Sequence, residues 1–177
     1  MKIKHSILYL VFVIACSNPK ESENLEISAL KPVEEVVIPQ NVTKVFNKIL
    51  GNQESVFRGY DFGDDLRKIQ ESEVLEQFED VKSHIGYSFD TPNMETVDIL
   101  YFRDKEDRLK AINIDIYMSS EESSKQLLQA FTQYFNTKYG EPSEHAGLPT
   151  WETDDVTAQI KMIRTKIDTG LQIIFEP

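Results

Sequence analysis

A single cysteine, Cys16, stands in a chain of 177 residues, and that scarcity excludes any intramolecular disulfide. Glycine is sparse as well. Its seven residues are scattered singly, which removes the Gly-rich loops that cradle phosphates. Histidine occurs three times, at His5, His84 and His145, and never in a His-x-x-x-His or His-Glu-x-x-His pattern, so no zinc site and no metal cofactor are expected. A Gly-x-Ser-x-Gly elbow is absent too. The Ser-x-x-Lys strings at Ser17–Lys20 and Ser28–Lys31 fall in a polar stretch with no pocket to desolvate the lysine. Basic residues are outnumbered, 19 against 30 acidic ones, which speaks against nucleic acid as a partner and against electrostatic docking on anionic lipid. Finally, no apolar run reaches the roughly 20 residues that a bilayer-spanning helix needs.

What is present begins at the N-terminus. Lys2 and Lys4 give a positive start, residues 7–15 form an unbroken apolar run of nine, and Cys16 follows at once. Nine helical residues rise only about 14 Å, a length suited to the core of a signal peptide and too short to span. Val13-Ile14-Ala15-Cys16 resembles the lipobox of bacterial lipoproteins. The resemblance implies that residues 1–15 are a cleaved signal peptide and that Cys16 becomes the mature N-terminus. It also implies a diacylglycerol on the Cys16 sulfur and a further acyl chain, such as palmitate, on the new amine. Each buried methylene is worth about 0.8 kcal/mol, so several chains hold firmly where one holds weakly. Ser17-Asn18 lacks the aspartate that favours inner-membrane retention in enteric lipoproteins, so the resemblance implies the cell envelope, and the outer membrane before the inner. Removing residues 1–15 takes two lysines and no acid, leaving 17 basic against 30 acidic side chains, a net of −13.

Residues 16–40 carry Pro19, Pro32 and Pro39, scattered acids and no sustained period, and read as a tether. As a flexible coil its 24 residues after Cys16 span roughly 25–30 Å, enough to clear the lipid headgroups. Val33, Val36, Val37 and Ile38 read as a brief edge strand against the domain.

A single α+β domain is expected over residues 41–177, opened by a short helix. Asn41 reads as its cap, Val42, Val45, Phe46 and Ile49 as its apolar stripe, and Gly51 as its stop. Phe57–Tyr60 reads as a short strand. Asp64 then starts a helix with Leu66, Ile69 and Val74 inward, extended or bent through Leu75 and Phe78. Residues 84–90 alternate, with Ile85, Tyr87 and Phe89 on one face, closed by Thr91-Pro92-Asn93. Val97–Arg103 and Leu109–Met118 flank the charged loop 104–107 as a hairpin. Within it Ile112, Ile114, Ile116 and Met118 face the core, while Asn113, Asp115 and Tyr117 face water. Ser119 and Glu122 form a capping box for the longest helix, whose stripe is Leu127, Leu128, Phe131, Tyr134 and Phe135 and whose stop is Gly140. Past a polar loop, residues 150–153, 157–163 and 171–175 supply three strands, with Asp154-Asp155 and Asp168-Thr169-Gly170 as turns. The fold is therefore an antiparallel sheet with two main helices on one face, ordered as two units of one helix and three strands.

That order, with Phe57-Arg58-Gly59, Phe62-Gly63-Asp64 and the Lys138-Tyr139-Gly140-Glu141-Pro142…Trp151 stretch, resembles small bacterial envelope domains of the SmpA/OmlA and β-lactamase-inhibitor-like group. The resemblance covers about two-thirds of the chain. It implies an envelope protein that binds other proteins rather than an enzyme, and it transfers no catalytic residue. The candidate contact residues are Asn113, Asp115 and Tyr117 on the wet strand face, Trp151 and Arg58. Tyrosine and tryptophan favour interfaces, though Trp151 reads first as a core plug and Arg58 first as the partner of a nearby helix carboxylate. No cofactor is expected. The expected partners are the membrane, through the lipid, and a protein. The rival to a structural or scaffolding module is an inhibitor or immunity-type protein steered by its acidity onto a basic toxin or hydrolase.

Overall fold

The computed structural model describes residues 39–91, 93, 95–165 and 169–177. The leader, Cys16, the tether with the strand expected at residues 33–38, Pro92 and Asp168 lie outside the described residues. The helices are α1 Gln40–Leu50, α2 Leu66–Ser72 and α3 Glu121–Tyr139. The strands are β1 Glu76–Val81, β2 His84–Asp90, β3 Thr96–Arg103, β4 Leu109–Met118, β5 Ser143–His145, β6 Leu148–Glu152, β7 Thr157–Arg164 and β8 Thr169–Glu176.

All eight strands belong to one antiparallel sheet in the order β1-β2-β3-β4-β8-β7-β6-β5. The order runs outward from the central β4–β8 pair to both edges. One half is α2 with β1–β4 and the other is α3 with β5–β8, so the duplication is real in topology, with four strands per unit rather than three. Two strands account for the difference. Glu76–Val81 pairs with β2 instead of prolonging α2, and Ser143–His145 pairs with β6 where a loop was expected. Both are edge strands rich in charged and polar residues, and β1 has a register shift between Gln77 and Glu79 that breaks its period of two. Val74, expected inward, is 87% exposed at the α2–β1 junction.

Alternation works where a helix covers one side. Ile85, Tyr87, Val97, Ile99, Tyr101, Ile112, Ile114 and Ile116 face inward in register across β2, β3 and β4, and Leu171, Ile173 and Phe175 continue the layer on β8. Onto this face α3 lays Leu127, Phe131 and Phe135, while α1 packs on α3 through a Phe46–Phe131 ring contact at 4.9 Å. Three caps differ from expectation by one step or more. Pro39, with no side-chain bond, precedes α1, so Asn41 lies inside the helix. For α3 the cap is Ser120, whose hydroxyl accepts from the Ser123 amide, while Ser119 donates to Glu95 at 3.0 Å. Asp65, not Asp64, caps α2 by accepting from the Arg67 amide at 2.9 Å.

Gly170 was expected to form a turn. It lies inside β8 opposite Tyr117, and a Cβ there would stand 1.8 Å from the carbonyl oxygen of Ile116. The central strands approach too closely for any side chain. Gly170→Ala is therefore expected to cost on the order of 3 kcal/mol, measured as a lower urea midpoint at unchanged slope.

Candidate functional site

Because successive residues of a strand point to opposite faces, burying the isoleucines of β4 under α3 turns Asn113, Asp115 and Tyr117 to the other side of the sheet, where each is half-buried. Among the described residues no helix packs on that side. The register sets its neighbours. Asp98 stands beside Asp115 on β3, with Gln172 on Asp115's other flank and Lys161 one strand further. One step along the strands, Leu100, Asn113 and Ile174 form a second row, and Phe102 with Ala111 begins a third. The face thus has an acidic row beside an apolar one.

Asp115 is held from both sides: Gln172 Nε2 donates to Oδ1 at 2.6 Å and Asn113 Nδ2 to Oδ2 at 3.1 Å. Among the described residues nothing comparable serves Asp98. Burial pushes its carboxyl above the usual range, and the nearby charges that act on it, those of Asp115, Asp90 and Glu79, push the same way. Asn113 Oδ1 is shielded from solvent and accepts no hydrogen bond among the described residues. A shallow depression touching Phe102, Ala111, Asn113 and Ile174 opens beside it. At the β1 edge the Phe78 ring lies over Gly86, filling the space that a Cβ would take, and remains 47% exposed; Val81, paired with His84, is 42% exposed. These two continue the apolar rows to the edge of the sheet.

The other sequence-predicted residues are elsewhere. Trp151 is 1% exposed, stacks 5.1 Å from Phe135 and donates Nε1–H to Asn136 Oδ1 at 2.8 Å, so it plugs the core under α3 and offers nothing to a partner. Arg58 is likewise inside. Its guanidinium meets Glu73 twice, Nε to Oε2 at 2.8 Å and Nη2 to Oε1 at 2.7 Å, with side chains 8% and 2% exposed. It also donates Nη1 to the Lys48 carbonyl at 2.6 Å and the Ile49 carbonyl at 3.1 Å, closing the end of α1. Glu73 accepts in addition from the Tyr101 hydroxyl at 3.0 Å. Burial presses the Glu73 carboxyl upward, but the Arg58 hydrogen bonds and charge outweigh it and hold the group below the usual carboxylate range. Arg58 is moved in the opposite sense by the same pair: burial presses down, Glu73 lifts, and the guanidinium ends above its ordinary value.

Two polar clusters were not foreseen. Glu95, 1% exposed, accepts from Thr91 Oγ1 at 2.9 Å and Ser119 Oγ at 3.0 Å, which ties the β2–β3 turn to the entrance of α3. No sequence period marks it, since it sits just outside a strand. His84 bonds Glu79 Oε1 through Nε2 at 2.8 Å and Ser83 Oγ through Nδ1 at 2.9 Å. Those are the atom types of a nucleophile, a base and an acid, but Ser83 is exposed in the β1–β2 turn and the depression beside it is open to solvent. His145 is exposed on β5. Asp64 and Asp65 are occupied by Lys68 and Arg67. Among the described residues no group of three metal-ligating side chains converges.

Comparison of the chain with protein-family models, curated proteins and solved structures finds no match.

The Arg58–Glu73 pair yields a signed expectation. Breaking it with Arg58→Ala leaves a buried carboxylate alone and should cost about 3–5 kcal/mol. Because the folded Glu73 titrates below its ordinary value of 4.5, the unfolded chain binds more protons as pH falls, and the contribution present above that value is lost on acidification. Urea unfolding of wild type and Glu73→Gln should therefore show a stability gap that is full at pH 7 and shrinks steadily below about pH 4.5.

Proposed function

We propose that this chain is a lipid-anchored protein of the cell envelope, an outer-membrane one in preference to inner, and that it works by binding another protein through the uncovered face of its sheet. The anchor rests on Lys2, Lys4, the apolar run and Cys16, which together resemble a lipoprotein leader. No helix among the described residues is long and apolar enough to cross a membrane.

The observation that carries the binding reading is the contrast between the two faces. One is closed by α1 and α3 over a continuous apolar layer. The other keeps Leu100, Phe102, Ile174 and Phe78 partly open beside two adjacent carboxyl groups, those of Asp98 and Asp115, in positions where a merely solvated face would carry scattered polar residues. Such a face gains from being covered. The depressions on this side are shallow and open, which suits a protein surface better than a small substrate. Trp151 and Arg58 are structural in this reading, and the contact residues reduce to Asn113, Asp115 and Tyr117 with their neighbours on β3 and β8.

A second reading, an inhibitor or immunity-type protein aimed at a basic toxin or hydrolase, is favoured by the Asp98–Asp115 row and by the net charge of −13 after removal of the leader. The two differ in what is bound rather than where. Cells fed an alkyne fatty acid should label the wild-type chain and leave Cys16→Ser unlabelled and washed free of membranes; an unlabelled wild type sinks the anchor. Leu100→Asp, set in the middle of the open face, should abolish the partner recovered from detergent-solubilised envelopes while the variant still unfolds in one cooperative transition. An envelope assembly lost in that variant supports the module, and a single basic enzyme lost in it supports the inhibitor.

A further inference from the structure

We infer that the uncovered sheet face receives a cationic amphipathic segment of a protein partner, a lysine or arginine seating between Asp98 and Asp115 while its apolar neighbours rest on Leu100, Phe102 and Ile174. The inference rests on the proposed role of this face in protein binding and names the chemistry of what it binds.

The spacing suits such a segment. Asp98 and Leu100 are alternate residues of β3, as are Asp115 and Asn113 of β4, so the acidic and apolar rows lie about 7 Å apart. An extended chain repeats its side chains on one face at the same interval, and a helix does so at about 6 Å between residues four apart. A carboxyl without an opposite charge lies where the cation would enter. Among the described residues only like charges act on Asp98, and the register sets it directly beside Asp115. One ammonium or guanidinium between the two carboxyls answers that need, and a charged hydrogen bond in a half-buried site is stronger than one in water.

Other occupants fit less well. A second copy docked face to face about a two-fold axis through the Asp98–Asp115 pair would set these residues against the same acids. A divalent cation would find Asp115 already engaged by Gln172 and Asn113, with no third ligating side chain converging among the described residues. For the domain alone Asp98 is a liability: a neutral side chain would relieve repulsion from Asp115, Asp90 and Glu79. A residue that opposes stability in an otherwise regular strand is the expected mark of a binding role.

The test uses the full chain, labelled with nitrogen-15, and three short amphipathic peptides that share a leucine pattern and carry lysine, glutamate or serine between the leucines. The lysine peptide should bind at least roughly ten-fold tighter than the other two, shifting the amides of residues 98–102, 111–115 and 172–174. The double variant Asp98→Asn/Asp115→Asn should lose roughly ten-fold in affinity, and the single Asp98→Asn, which keeps both donors to Asp115 in place, should weaken binding in the same direction while its thermal midpoint rises, which rules out misfolding as the cause. Asp154→Asn/Asp155→Asn, an equal change of charge at a distant hairpin turn, should bind as wild type does. Equal weakening by both doubles would reduce the effect to net charge and overturn the inference. Equal binding of all three peptides on this face would overturn the cationic chemistry and leave the face as a protein contact. Shifts confined to the helical side would overturn both. Calcium alone producing the same shifts, or concentration-dependent self-association protecting the same amides, would put another occupant there and overturn it too.

Discussion

One buried ion pair sets the relation of the parts. Arg58 reaches the last carbonyls of α1, the carboxylate of Glu73 at the end of α2 and, through Glu73, the hydroxyl of Tyr101 in β3. Three elements distant in sequence thus meet at one guanidinium. To make this reach, Arg58 adopts a left-handed backbone, φ 55°, followed by Gly59 at φ 93°, and Gly51 leaves the room its side chain occupies. A charge taken out of water is tolerable only where its hydrogen bonds are nearly all supplied, and here a planar fork of donors meets a carboxylate and two carbonyls. With the pair in place α1 and α2 are confined to the same side of the sheet as α3.

Confinement of every helix to one side leaves the other side of eight strands without cover among the described residues. That asymmetry is the basis of the functional proposal. Sheets commonly keep one wet face, but here the wet face mixes half-exposed aromatic and aliphatic side chains with carboxylates that repel one another. The central strands that make this face, β3, β4 and β8, are also the most securely built. They pair over seven or eight residues each, and β4 and β8 meet across a glycine that permits backbone contact. A binding surface on such strands is rigid before any partner arrives, which lowers the entropic cost of association.

Much of the architecture was legible. The bounds of β2 and β4, the stripe of α3, its Gly140 stop and the orientation of Asn113, Asp115 and Tyr117 all follow from a period of two or 3.6 under one-sided burial. The failures share a cause. β1 is an edge strand of Glu, Gln, Asp, Phe and Val with a bulge, so neither face is apolar enough to show a period. Gly170 looks like a turn residue because the demand for it comes from a carbonyl more than fifty residues away in sequence, at Ile116. Glu95 is an acid buried by partners that no local pattern nominates, whereas the pairing of Arg58 with a helix carboxylate was legible and only the identity of that carboxylate, Glu73, was not.

The amino-acid sequence alone determined which residues turn toward a core and which toward water, that the chain carries a leader-like start ending at Cys16, and that acid outweighs base. Those are local or additive properties, readable from periodicity and composition. Only the tertiary structure decided which wet residues are neighbours. Asp98 and Asp115 lie 17 positions apart in the chain, and Asp115 and Gln172 lie 57 apart. Register, not sequence separation, makes them one row, and register depends on how all the strands share a single buried face.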